Sequence, residues 1–141
     1  MKKVEAIKIG QSFCKRFKAT DEVVRAIAAV SGDRNPVHLD DRYAAGTVFG
    51  KRIAHGLFCL NGISMILGNY FPGEGTILIK QEFSYRKPVY IDDEIEICVS
   101  VQEINIEKEI VKLECTCKNQ NGEVVLCGYS KVKWCGEINY G

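Results

Sequence analysis

The sequence lacks most of what would place it in a special class. It has little charge imbalance: 19 Lys plus Arg against 18 Asp plus Glu leave a net charge of +1. No bulk field therefore draws it to nucleic acid or to an anionic membrane surface. It also has no apolar run near the roughly 20 residues that span a bilayer. The opening Met1-Lys2-Lys3-Val4-Glu5 begins like a leader, but Glu5, Lys8 and Gln11 interrupt any apolar stretch, so it reads as mature protein. With 46% hydrophobic and 26% charged residues, the chain is neither disordered nor of low complexity.

Seven cysteines are present, an odd number, and none forms a CxxC pair. Zinc-ribbon and thioredoxin-type spacings are therefore missing. Most of the cysteines sit in apolar runs, where the thiol behaves as a small hydrophobe. They are expected to be reduced and packed, as in a cytoplasmic protein. At 141 residues the chain has the size of one domain, read as spanning 1–141, and can bury roughly 68% of its unfolded surface.

The order of elements is informative. Residues 3–18 hold a segment fit for an edge strand. Thr20-Asp21-Glu22 supplies a capping residue and first-turn acids, and Val23, Ile27 and Val30 follow at helical spacing up to Gly32. Residues 33–55 read as loop, with one helical turn at 40–45. Leu57–Tyr70 is apolar on nearly all sides and stops at Pro72-Gly73, which predicts a buried helix. Alternating segments then begin near Ile77, Ile95, Val111 and Val124, with Asn121-Gly122 as a tight turn. The expected fold class is α+β, an antiparallel sheet wrapped around the buried helix.

Chemistry concentrates in one stretch. The only histidines, His38 and His55, lie in it. Asp33 precedes His38 by five residues, and Pro36 between them keeps Asn35 extended and bends the chain. A carboxylate and an imidazole brought together this way can share acid and base duty on one water. Gly56 stands where the buried helix starts, and the free N–H groups of such a terminus suit a developing oxyanion. Blander roles remain open for each residue. Asp33 and Asn35 can serve as turn and cap, His38 as a loop histidine, and His55 as a helix cap or a partner of a carbonyl. Two histidines with no third ligand at a recognisable spacing give no metal site.

Ser31-Gly32-Asp33-Arg34-Asn35-Pro36-Val37-His38-Leu39-Asp40 resembles the hydratase motif of the MaoC-like, (R)-specific enoyl-CoA hydratases. Phe49-Gly50 with Ile53-Ala54-His55-Gly56-Leu57, then Pro72-Gly73-Glu74-Gly75-Thr76 and Phe83-Ser84-Tyr85-Arg86-Lys87-Pro88-Val89, resemble its further landmarks in the family order. The likeness runs over roughly residues 12–134. It implies a hot-dog fold and a homodimer or an assembly of dimers, with no cofactor. The implied substrate is an acyl-CoA thioester, or an acyl-carrier protein in its place, in fatty acid metabolism.

The same resemblance implies that Asp33 and His38 form the catalytic dyad, with Asn35 supporting it. It implies that the Gly56 N–H binds the thioester oxygen and that Ser64 helps order the site. Ser64 can equally bond back to a helix carbonyl. His55 is expected to be structural. Departures from the pattern are Ile91-Asp92-Asp93, where a glycine before the acid is usual, and Leu57 in place of methionine. The expected reaction is hydration of a trans-2-enoyl-CoA to a (R)-3-hydroxyacyl-CoA. Thioester hydrolysis on the same fold and non-catalytic acyl-CoA binding are the alternatives.

Two further sets of residues are weighed at this level. Tyr43, Phe49, Phe58 and Tyr70 can line a tunnel or simply fill the core. Lys51, Arg52, Arg86 and Lys87 can meet a nucleotide phosphate or simply face solvent.

Overall fold

The structure is a computed structural model, and it describes residues 1–135. Of the segment 3–18, Lys3–Ala6 forms a single 3-10 turn and Ser12–Lys18 forms β1, an edge strand. Helix α1, Asp21–Ser31, starts where the capping residue stands: Thr20 Oγ1 accepts the Val23 N–H at 3.1 Å. It ends at Gly32, whose φ of 77° is a left-handed value that glycine adopts without strain.

Five strands form one antiparallel sheet in the order β1-β3-β4-β5-β2. The other four are β2, Thr76–Tyr85; β3, Glu94–Asn105; β4, Ile110–Lys118; and β5, Val124–Trp134. Alternation in β3 and β4 sends Ile95, Ile97, Val99, Val101, Val111, Leu113, Cys115 and Cys117 inward, all at 2% exposure or less. Helix α4, Leu57–Asn69, lies against that face through Phe58, Cys59, Ile63, Ile66 and Leu67. Gly62 permits the close approach, because a Cβ there would stand 2.4 Å from Ile97 Cδ1. This is the expected α+β architecture of a sheet wrapped around a helix.

The structure corrects several expectations. Loop 33–55 contains two short helices, not one: α2, Pro36–Leu39, and α3, Asp41–Ala45. Pro36 sits in the first turn of α2, where its missing N–H costs nothing. Helix α4 is not enclosed on all sides. Leu57, Asn61 and Ser64 are exposed on its outer flank, where they line an apolar groove of about 540 Å³ with Val23, Ile27 and Leu78. Strand β2 is an edge strand, and its Ile77, Leu78 and Ile79 are at least 36% exposed.

The cysteines are not all reduced. Cys14 and Cys98 are register partners on β1 and β3 and are joined as a disulfide outside the core. Neither lies in a helix or strand stretch that hides it: Cys14 is exposed and Cys98 half-buried. The pairing arises from sheet register, which the intervals between cysteines do not reveal. Cys59, Cys115 and Cys117 are buried thiols, as their apolar settings imply.

Candidate active site

Asp33 is held by a chain of local bonds. Ser31 Oγ donates to the Ile27 carbonyl at 2.7 Å and accepts the Asp33 N–H at 3.0 Å. Asp33 Oδ1 accepts the Asn35 N–H at 3.2 Å, and Asn35 Oδ1 accepts the Val37 N–H at 3.3 Å. Asn35 thus caps α2, and α2 turns His38 inward to 8% exposure.

His38 Nδ1 lies 2.7 Å from the Ile53 carbonyl. A carbonyl can only accept, so Nδ1 carries a proton, and in the neutral ring Nε2 is the nitrogen with the lone pair. His55 Nε2 lies 2.9 Å from the Asp33 carbonyl, so His55 is the opposite tautomer. The two rings stack with centroids 3.9 Å apart. One ligating atom from each of Asp33, His38 and His55 lies within 4.8 Å of the other two. The three side chains that the sequence spreads over 23 positions therefore converge, and this includes a third potential metal ligand that no spacing rule reveals.

Beside them opens a cavity of about 350 Å³ lined by His38, His55, Gly56, Cys59, Tyr85 and Val125, among others. Gly56 is the residue before the first turn of α4, as expected. An N–H at this position has no acceptor within the helix. The positive end of the helix dipole adds to its pull on an oxyanion.

Ser64 is not part of this cluster. It is exposed on the outer flank of α4 and lines the apolar groove instead. Of the four aromatic candidates, Phe49 lines the cavity, Phe58 is buried in the core, and Tyr43 and Tyr70 are exposed. Of the four basic candidates, Arg86 and Lys87 reach the cavity wall, Lys87 while paired with Glu123. Lys51 lies over the Tyr90 ring.

Three further residues of the site have roles that the sequence reading did not give them. Arg52 is only 7% exposed, and it is neither solvent-facing nor free for a phosphate. Its Nε donates to the His38 carbonyl at 2.8 Å, while its guanidinium pairs with Asp21 and lies 3.8 Å from Asp41 Oδ1. It ties α1, α2 and α3 together behind His38. The Arg52 and Arg25 guanidinium groups hold the Asp21 carboxyl below the usual carboxylate range. Tyr85 donates to the Gly56 carbonyl at 3.3 Å. Partial burial and the nearby Cys59 and Cys117 push its phenol up. Cys59, on the first turn of α4, contributes a thiol to the cavity wall. Tyr85 stood in the Phe83–Val89 landmark and Arg52 among the basic candidates, while nothing in the sequence singled out Cys59.

The model of the MaoC like domain matches residues 3–122. The chain belongs to the MaoC-like family. It is 40% identical over 129 residues to a 3-hydroxybutyryl-CoA dehydratase of Methylorubrum extorquens, covering 92% of this chain and 82% of that one. It is 36% identical over 131 residues to an (R)-specific enoyl-CoA hydratase of Aeromonas caviae, covering 92% and 96% respectively. The solved structure of an (R)-hydratase from A. caviae involved in PHA biosynthesis superposes with a TM-score of 0.90 at 33% identity, over 92% of this chain and 98% of that one. The fold of this MaoC-like chain is thus the hot-dog fold. The relatives carry the names of hydro-lyases, enzymes that add or remove water.

Proposed function

We propose that this protein is an (R)-specific enoyl-CoA hydratase, a hydro-lyase that reversibly converts a trans-2-enoyl-CoA to a (R)-3-hydroxyacyl-CoA. The observation that carries the reading is the convergence of Asp33 and His38 beside the N-terminus of α4.

The thioester oxygen sits on the Gly56 N–H. Attack of water at C3 of the enoyl group moves charge onto that oxygen, where the N–H and the helix dipole stabilise it. Loss of one such donor costs about 10²–10³ in rate in other enzymes. The Asp33 carboxylate and the His38 Nε2 lone pair are both acceptors. One water can therefore donate to both at once and present its oxygen to C3. The pair takes one proton as the C–O bond forms and returns a proton to C2, which balances the addition. Asn35 and His55 act on geometry: Asn35 caps the helix that carries His38, and His55 holds the Asp33 backbone.

We also infer a homodimer. The exposed Leu57, Leu78 and Val30 beside the groove form an apolar face of the kind that marks an interface. Ser64, on that face, would then lie near the subunit boundary, where an acyl chain can reach it.

The test is turnover of crotonyl-CoA, followed by loss of the conjugated thioester absorbance with the product enantiomer identified. Formation of (R)-3-hydroxybutyryl-CoA, lost in the Asp33→Asn variant, is expected. Absence of hydration on short and long enoyl-CoA and on enoyl-carrier protein overturns the reading. Release of free thiol from saturated acyl-CoA makes the protein a thioesterase instead. Light scattering checks the mass, and a monomer at micromolar concentration overturns the dimer.

A further inference from the structure

The site holds one imidazole more than the proposed hydration uses. His55 is 3% exposed and lines the cavity, yet its Nδ1 has no hydrogen-bond partner among the described residues. A buried polar atom without a partner is destabilising, and native proteins rarely leave one so. With Nε2–H donating to the Asp33 carbonyl, Nδ1 bears a lone pair. His38 uses its nitrogens the other way round: Nδ1–H donates to the Ile53 carbonyl, which leaves Nε2 for a ligand.

One ligating atom from each of two imidazoles and one carboxylate thus lies within 4.8 Å of the others. Three protein ligands with an open fourth position are the donor count of many zinc centres. Imidazole nitrogen selects zinc, cobalt, nickel or copper over magnesium or calcium. Each ring is also oriented by a backbone carbonyl on its other nitrogen, as metal-bound histidines are.

We propose that Asp33, His38 and His55 form a binding site for one divalent cation of the zinc class, and that filling it stops hydration. Tetrahedral bonds of about 2.0–2.1 Å put ligand atoms roughly 3.3 Å apart. The exposed Asp33 side chain can supply the closing movement by giving up the 3.2 Å bond that its Oδ1 accepts from the Asn35 N–H. The nearest buried cation, Arg52, is already paired with Asp21 and Asp41. The bound metal takes the Asp33 carboxylate and the His38 lone pair, the two groups that hold the attacking water. Binding is a claim about donor atoms alone, whereas inhibition rests on the hydratase reading.

The experiment is titration of metal-free protein with Co²⁺, read by the visible ligand-field absorption of the bound ion. The expected result is saturation at one ion per chain, displacement by Zn²⁺, and at least tenfold weaker uptake in Asp33→Asn and in His55→Gln. Asp33→Asn keeps the backbone contacts and decides the matter if His55→Gln fails to fold. Cys59 lines the same cavity, and ligation by its thiolate would show as an intense near-ultraviolet charge-transfer band. No saturable uptake, unchanged uptake in Asp33→Asn, or a thiolate band that Cys59→Ala removes each overturns the proposal. In parallel, Zn²⁺ is expected to slow crotonyl-CoA hydration at least tenfold, with recovery on adding a chelator and no effect of Mg²⁺. An active enzyme indifferent to Zn²⁺ overturns the inhibitory part. A protein that binds Co²⁺ in this way but hydrates no enoyl thioester keeps the site and sinks the hydratase reading instead.

Discussion

The imidazole of His38 lies against that of His55 with ring centroids 3.9 Å apart and planes inclined by 29°. Each ring spends one nitrogen on a backbone carbonyl, His38 on Ile53 and His55 on Asp33. The pair therefore joins the start of the loop to its end, and it sets the Asp33 backbone and the His38 ring in one frame.

That frame predicts a loss of rate without a loss of fold when the dyad is altered. Asp33→Asn and His38→Ala are each expected to lower kcat on crotonyl-CoA by about 10²–10⁴, the range of a general acid or base. Circular dichroism and Tm check that the variants remain folded. Near-normal turnover in either one removes that residue from the dyad.

Gly56, the proposed oxyanion donor, is also constrained by sterics. A Cβ there would stand 2.9 Å from the Tyr85 hydroxyl and 3.0 Å from its ring. Gly56→Ala is expected to cost at most about 1 kcal/mol of stability, the low end of overpacking, because the obstructing atoms end an exposed side chain that can swing aside, and to lower kcat/KM. Adding Tyr85→Ala makes room, and thermal melting of the double variant should recover most of the lost stability.

Two other glycines separate a soft obstacle from a hard one. At Gly62 the obstructing atom is the tip of Ile97, whereas at Gly128 it is the Glu82 backbone carbonyl, 1.9 Å from a built Cβ. Gly62→Ala should be partly rescued by Ile97→Val in a chemical denaturation series. Gly128→Ala has no side-chain remedy, and soluble yield should fall sharply. Equal tolerance at the two positions would contradict the close approach of β5 to β2.

Arg52 predicts an acid limb. The Asp21 carboxyl is held below its usual value, first by Arg52 and then by Arg25. A carboxyl lowered in the folded state stabilises it above the unfolded value, near 3.9, and that contribution is lost as pH falls toward the folded one. In urea denaturation, Asp21→Asn should therefore be less stable than the wild type at pH 6, and the gap should close as pH falls below about 4. A gap that stays constant with pH rules out the ion pair as the cause.

The Cys14–Cys98 disulfide closes a sequence separation of 84 residues. Chain-entropy arguments give such a loop about 4 kcal/mol. Tm should fall when a thiol reductant is added, and Cys14→Ser should abolish that response. Alkylation of unfolded, unreduced protein checks the pairing directly, because Cys14 and Cys98 should then be protected.

Much of this protein was legible along the chain because its causes are local. Thr20 and Gly32 bound α1 through a cap and a left-handed residue, and both act within a few positions. Strict alternation in β3 and β4 places Ile95–Val101 and Val111–Cys117 in the core because the strand period is two. The Asp33-to-His38 spacing with Pro36 pointed to the candidate site for the same reason. Other features depend on elements distant in sequence. Whether α4 is covered all round depends on what packs on its Leu57–Ser64 flank. Whether Cys14 meets Cys98 depends on strand register. Whether Arg52 faces solvent depends on α1 arriving with Asp21. Whether His55 joins Asp33 and His38 depends on a loop closing across 22 positions. Local pattern sets the conformation of each segment, because caps, turns and periodicity act through neighbouring backbone groups. Which side chains share a cavity is decided only when the sheet curves around the helix, because contacts of that kind exist in space and not along the chain.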